Sequence, residues 1–106
     1  MSRLYNVLNK MAQFVASPIQ VINITDSQQT LEGYGGLTRD ISLSSHVPNG
    51  YKAVMATLRG TGSYACYSYY CGLNTSTNVV TYQIGNRDSA SKTVTPSITV
   101  LCVKTV

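Results

Sequence analysis

Leu4, Val7, Met11 and Phe14 follow one another at spacings of three, four and three, and no later stretch of the 106-residue chain repeats that period. Such spacing is the a/d seam of an amphipathic helix. Leu8 and Val15 widen the seam on one side, while Arg3, Asn6, Asn9, Lys10 and Gln13 fall on the opposite side. Ser2 is placed to cap the first turn, although Tyr5 at the N3 position leaves the capping box incomplete. Ser17-Pro18 ends the segment, because the residue before a proline is driven out of the helical region. The pattern predicts one short helix over residues 2–16. Isolated helices below about 12–15 residues are marginal in water, so the seam needs a partner. Two homes are open to it: the sheet of its own chain, or the same seam on neighbouring copies. The strict three-four-three spacing favours the second, with Leu4, Val7, Leu8, Met11 and Phe14 as the oligomerisation residues.

After Pro18 the period changes to two. Ile19, Val21, Ile22 and Ile24 open a β-type run that closes at Asp26-Ser27. Residues 28–31 either extend it or pair back on it. Three glycines in 33–36 break the chain before strand character resumes at 37–43, and Val47-Pro48-Asn49-Gly50 is a strong turn signal. Residues 51–59 and 63–71 read as consecutive strands joined at Gly60-Thr61-Gly62, a connection suited to a hairpin. Further strands are expected at 79–84 and 97–106. Apolar residues on both faces of the last mark it as a central or interface strand. Six to seven short strands at such spacing predict a mainly β fold, an antiparallel, jelly-roll-like β-sandwich with one short N-terminal α-helix. The expected organisation is an oligomerisation stem at 1–17 and a β-sandwich domain at 18–106.

Charge narrows the function classes. Only 11% of residues are charged, and the eight Lys and Arg are scattered with no two adjacent. A nucleic-acid surface clusters its basic residues, so nucleic acid is not an expected partner. The net charge of +4 reflects a shortage of acids, which number only four. Ser and Thr together number 24, and Tyr supplies eight of the nine aromatics, a neutral-polar surface of the kind found on exposed β proteins. The three cysteines, Cys66, Cys71 and Cys102, are an odd set. On one regular strand Cys66 and Cys71 point to opposite faces, so all three are expected to be reduced hydrophobes. No metal or cofactor is expected, since three thiols and the lone His46 lack a zinc-ligand spacing. There is no signal-peptide pattern and no apolar run of about 20 residues, so synthesis in a cytoplasm and no membrane insertion are expected.

No catalytic residue is expected. A Ser-His-Asp set would have to centre on His46, and no G-x-S-x-G elbow occurs. The glycines of 33–36 are not followed by the Lys-Ser/Thr of a phosphate loop. The feature with most binding chemistry is SYACYSYYC at 63–71. Strict alternation puts Tyr64 and Tyr70 on one face and Tyr67 and Tyr69 on the other. Packing between sheets or subunits is the commoner role for such a stripe. The alternative role is ligand contact, since a tyrosine combines a flat ring and a hydroxyl with little rotamer entropy. The candidate ligand-binding residues are Tyr64, Tyr67, Tyr69, Tyr70, His46, Asn86 and Arg87.

The segment ISLSSHVPNGYKAV at 41–54, the closing β-branched run SITVLCV at 97–103 and the short N-terminal seam together resemble the receptor-binding tip modules of phage tail fibres and baseplates, of the type found in phages of gut and Gram-positive bacteria. The resemblance covers about two-thirds of the chain and rests on pattern and composition. It implies a homotrimer with helices around the three-fold axis, a place on the virion alongside other virion proteins, no enzymatic activity, and recognition of a cell-surface carbohydrate or protein receptor. The chain departs from such fibres in having a short stem where most have a long shaft. A different class fits the same features: a virion structural or decoration protein that binds only other virion proteins.

Overall fold

A computed structural model describes Arg3, Leu4, Asn6 and residues 18–105 of the chain. Arg3, Leu4 and Asn6 have helical backbone; the rest of the predicted helix, with Val7, Leu8, Met11 and Phe14, lies outside the described residues. From residue 18 onward the regular structure is all antiparallel β. The strands are β1 (Ile19–Thr25), β2 (Gln29–Leu31), β3 (Gly36–Ser42), β4 (Tyr51–Gly60), β5 (Cys66–Asn74), β6 (Val79–Asn86), β7 (Lys92–Val94) and β8 (Ser97–Lys104). Among the described residues there are thus eight strands where six to seven were expected. The difference lies in the short β2 and β7, which pair with each other, so 28–31 does not fold back on β1.

Two three-stranded sheets run β1-β8-β4 and β3-β6-β5. β8 is the central strand of the first, in keeping with its two apolar faces. The expected hairpin between the strands at 51–59 and 63–71 does not form. β4 pairs with β8 and β5 with β6, so residues 61–65 carry the chain from one sheet to the other. One core takes residues from both sheets: Ile24 and Ala53 with Ile98, Val100 and Cys102 from the first, and Cys66, Val80, Tyr82 and Ile84 from the second. Burying a side chain such as Ile98 or Val100 contributes roughly 1.5–3 kcal/mol.

Three register shifts interrupt the ladders, one of them between Leu58 and Gly60 at the end of β4, and the other two overturn the alternation read from the sequence. In β4 the register shifts between Ala53 and Met55, so Ala53 and Ala56 both face the core while Val54 and Met55 are exposed. In β5 it shifts between Ser68 and Tyr70, leaving Tyr69 as the extra residue. Cys66 is therefore buried in the core and Cys71 packs against that same core, rather than on the opposite face, and all three cysteines are free thiols.

The registers also define two ends. Pro18 O accepts from Lys104 N and Gly50 O from Thr105 N, so the chain leaves residue 18 beside loops 43–50 and 75–78. The opposite, distal end carries loops 32–35, 61–65 and 87–91.

Candidate functional site

A one-residue bulge changes which way the tyrosines of β5 look. The partners of Tyr67 and Tyr70 are Gly85 and Gln83, which alternate with the buried Tyr82 and Ile84. Tyr67 and Tyr70, of opposite parity, consequently share the outer face of the β3-β6-β5 sheet. None of the four tyrosines is core: Tyr64, Tyr67, Tyr69 and Tyr70 are between 41% and 100% exposed. The expected division into two faces is thus replaced by a single outward set.

Glycines form the floor under these rings. A Cβ added at Gly85 would sit 2.8 Å from both Cζ and Oη of Tyr67, and one added at Gly72 would sit 2.6 Å from Oη of Tyr70. Gly36 pairs with Gly85, and the Tyr69 hydroxyl reaches across β6 to within 3.6 Å of the Cβ position of Gly36. An aromatic ring over a cross-strand glycine shields backbone that would otherwise face water. The Tyr67 and Tyr69 rings stand 5.9 Å apart at 45°, and the Arg87 guanidinium lies 4.9 Å above the Tyr67 ring. That is a cation–π contact, worth about 0.5–1 kcal/mol at an exposed site. The result is an aromatic platform with one cation at its edge, in the distal half of the sheet.

The distal loops support it. Asn86, expected among the ligand contacts, is instead buried. Its Nδ2 donates to the carbonyls of Glu32 and Ala90, and its Oδ1 accepts from Asp88 N. Asn86 therefore ties loop 32–35 to loop 87–91 and fixes the residue before Arg87. The Ala90 N–H and Lys92 hold the Asp88 carboxyl below its usual range. Tyr34, not singled out by its sequence, projects from loop 32–35 with a left-handed backbone (φ 56°), held by its own N–H to Asp88 O. A positive φ at an aromatic residue is uncommon and costs of order 1 kcal/mol. The flanking Gly33 and Gly35 were the one sequence sign that this turn is special.

His46 lies at the other end, in loop 43–50, and does not join the tyrosines. A cavity of about 610 Å³ opens at that end between Val47, Pro48, Tyr51, Lys52, Thr75 and Asn78. No carboxylate, imidazole or thiol is among its lining residues; its titratable groups are Tyr51 and Lys52. Among the described residues no three of His, Cys, Asp and Glu converge as a metal site would require, and no helix is long and apolar enough to cross a membrane.

A second polar cluster went unread in the sequence. Asp26, just after β1, accepts from Arg39 Nε at 3.0 Å, from Arg39 Nη2 at 3.1 Å and from Tyr82 Oη at 2.5 Å. Arg39 and Tyr82 are register partners on β3 and β6, so this cluster fastens the end of β1 to the other sheet. Burial raises the Asp26 pKa, but the hydrogen bonds from Arg39 and Tyr82 outweigh it and hold the carboxyl below its ordinary value. Burial, and then the bond to Asp26, push the Tyr82 hydroxyl well above its own. The role is structural.

No family model matches this chain, and no curated protein or solved structure is detectably similar to it.

Gly85→Ala tests the platform apart from the fold. The atoms in its way are the far end of the Tyr67 ring, which can swing. Thermal stability is expected to change by less than about 1 kcal/mol. The Tyr67 ring is expected to leave Arg87 and Tyr69, read as loss of ring-current shifts in the NMR spectrum. An unchanged aromatic spectrum would mean the rings are not seated on that glycine.

Proposed function

We propose that the chain is a non-enzymatic phage virion protein, a trimeric tail-fibre tip module that recognises a host cell-surface receptor, glycan or protein. In this reading the two three-stranded sheets make an antiparallel, jelly-roll-like β-sandwich head. Residues 2–16 form a helical stem whose seam packs around a three-fold axis. The protein is made in the host cytoplasm and works on the virion.

The observation that carries the reading is the outward platform of Tyr67, Tyr69 and Tyr70 with Arg87, on the sheet face in the half of the head away from residue 18. Aromatic rings held rigidly in water are costly unless something covers them, and stiff amphipathic rings lose little entropy when it does. Their faces suit the C–H faces of a sugar or a flat protein patch, and their hydroxyls and Arg87 supply hydrogen bonds. A stem at one end and the platform towards the other is the layout that presents such a surface to a cell.

Purified wild-type protein is expected to bind a subset of a glycan array or whole cells of a susceptible bacterium. Tyr67→Ala with Arg87→Ala is expected to weaken that binding at least tenfold while the strand signature in circular dichroism is kept and stability falls by only about 1 kcal/mol. Hot-spot aromatic and arginine truncations commonly cost 2 kcal/mol or more, which is about thirtyfold. Wild-type silence on glycans and cells, with capture by purified virions, would favour a structural or decoration protein that binds only other virion proteins.

A further inference from the structure

We propose that the tyrosine platform is one end of a longer track on the outer face of the β3-β6-β5 sheet, and that the track takes a neutral saccharide chain whose hydroxyls donate to Asp40 and Thr81. The inference rests on the receptor-binding reading above and chooses its ligand class. The register sets the outer side chains in rows. Gly85 lies between Tyr67 and Gly36, Gln83 between Tyr70 and Thr38, and Thr81 between Gly72 and Asp40. Thr38 and Asp40 are exposed and Gln83 and Thr81 are half-buried, alternating along β6 with the fully buried Val80, Tyr82 and Ile84. No Val, Leu, Ile or Met stands in these three rows.

The two ends of the track differ in kind. Arg87 closes it at the Tyr67 end, where the guanidinium covers that ring. Tyr69 and Tyr70 are each more than half exposed and carry the open ring surface. The Tyr70 hydroxyl lies over Gly72, so this ring leads from the platform into the third row. There Thr81 Oγ1 donates to Asp40 Oδ1 at 2.6 Å. A threonine hydroxyl has one proton to give, and an ionised carboxylate has none and accepts at about four positions. Thr81 has spent its donor on Asp40, so the pair offers acceptors only. The donors must come from the ligand.

A matching ligand has C–H faces for Tyr69 and Tyr70 and O–H donors for Asp40 and Thr81. A saccharide chain carries both, an apolar ring face and a hydroxyl edge, on every unit. A protein surface would fill the aromatic contact, but a protein hot spot needs surrounding contacts that exclude water. Here the rings stand among Gly, Thr, Gln and Asp, which stay wet. Charge complementarity excludes the charged chains. The Thr81 row lies four residues along β6 from the Gly85 row, about 13 Å, and Arg87 is further still. That exceeds the screening length of about 8 Å, so Arg87 does not neutralise Asp40. A polyanion would meet the Asp40 carboxylate and a polycation the Arg87 guanidinium. A neutral chain of hydroxyls meets neither penalty.

Binding of the full-length chain to neutral hexose oligosaccharides, to their uronic-acid and sulfated counterparts, and to susceptible bacterial cells treated with periodate or with protease tests this. Wild type is expected to bind the neutral oligosaccharides alone. Its binding to cells is expected to be lost after periodate, which cleaves vicinal diols, and kept after protease. Asp40→Ala with Thr81→Val is expected to weaken binding at least tenfold while leaving the strand signature in circular dichroism intact, since hydrogen bonds to an ionised acceptor are the strong ones. If that pair misfolds, Asp40→Asn, which keeps the size and removes the charge, is expected to weaken binding by a smaller factor. Wild-type affinity in a folded variant, binding confined to the charged oligosaccharides, or cell binding that protease abolishes would each overturn the inference. The receptor-binding reading would survive any of these if Tyr67→Ala with Arg87→Ala still weakens binding. Wild-type silence on every oligosaccharide and on cells overturns both.

Discussion

Asp26→Ala is expected to lower the unfolding free energy by about 3 kcal/mol, which the loss of charge-assisted hydrogen bonds to a carboxylate and an unsatisfied buried hydroxyl together imply. The Asp26 side chain is only 9% exposed, and it is the common acceptor for Arg39 and Tyr82. Removing it leaves the Tyr82 hydroxyl, on a fully buried residue, without that acceptor. Arg39, whose side chain is partly exposed, recovers some solvation, so the cost stays below that of a wholly buried charge. For a domain of this size the melting temperature should fall by about 12–20 °C. Tyr82→Phe keeps the ring in the core and removes one bond, so it should cost only about 1 kcal/mol. Urea unfolding at one fixed protein concentration measures both, since association would otherwise change the apparent values. A loss below about 1 kcal/mol for Asp26→Ala would mean that the two sheets do not depend on this fastening.

The same cluster sets a pH window. Asp26 has a depressed folded-state pKa, so its contribution is complete above its unfolded value of about 4 and is lost as pH falls through the lower folded value. Tyr82 has a raised folded-state pKa, so its contribution is complete below about pH 10 and is lost as pH rises through the higher folded value. Wild-type stability should therefore fall at both extremes. Asp26→Ala should flatten the acid limb, read from melting temperature against pH.

Val7→Asp with Met11→Asp is the second large effect. In a three-helix seam both positions face the axis, so the pair would bury six carboxylates across three chains. Unpaired buried charges cost several kcal/mol each, more than a short seam can offset. Complete dissociation at micromolar concentration is expected, seen as monomer mass in light scattering. The head should keep its strand content, because Ile98 and Val100 of one sheet and Tyr82 and Ile84 of the other share one core. An oligomer that survives the double substitution would place the seam within its own subunit and remove the stem from the proposed function.

The β class, the closing strand and most strand positions were legible because hydrophobic alternation and Gly/Pro punctuation are local. Central β8 follows from Ile98, Val100 and Cys102 on one face and Leu101 and Val103 on the other. What failed was whatever depended on an uninterrupted period. The bulges at Val54 and Tyr69 each add one residue to one strand, and a single insertion moves every later side chain to the other face. Nothing in SYYC marks Tyr69 as the residue left without a partner. The assignment of Asn86 to a ligand failed for a related reason: an amide in a polar loop reads alike whether it meets solvent or ties two loops together.

The helix-period seam at 2–16, the β body after Pro18 and the concentration of tyrosines in 63–71 were written in the sequence, since each is a matter of spacing or composition along the chain. Only the tertiary structure decided that those tyrosines lie outside on a glycine floor beside Arg87, that Tyr82 is the buried one, and that Asp26 joins the sheets. These depend on cross-strand register, where residues 40 to 60 positions apart become neighbours, as Tyr82 and Asp26 do at a separation of 56. A local pattern carries no record of which strand will lie beside it.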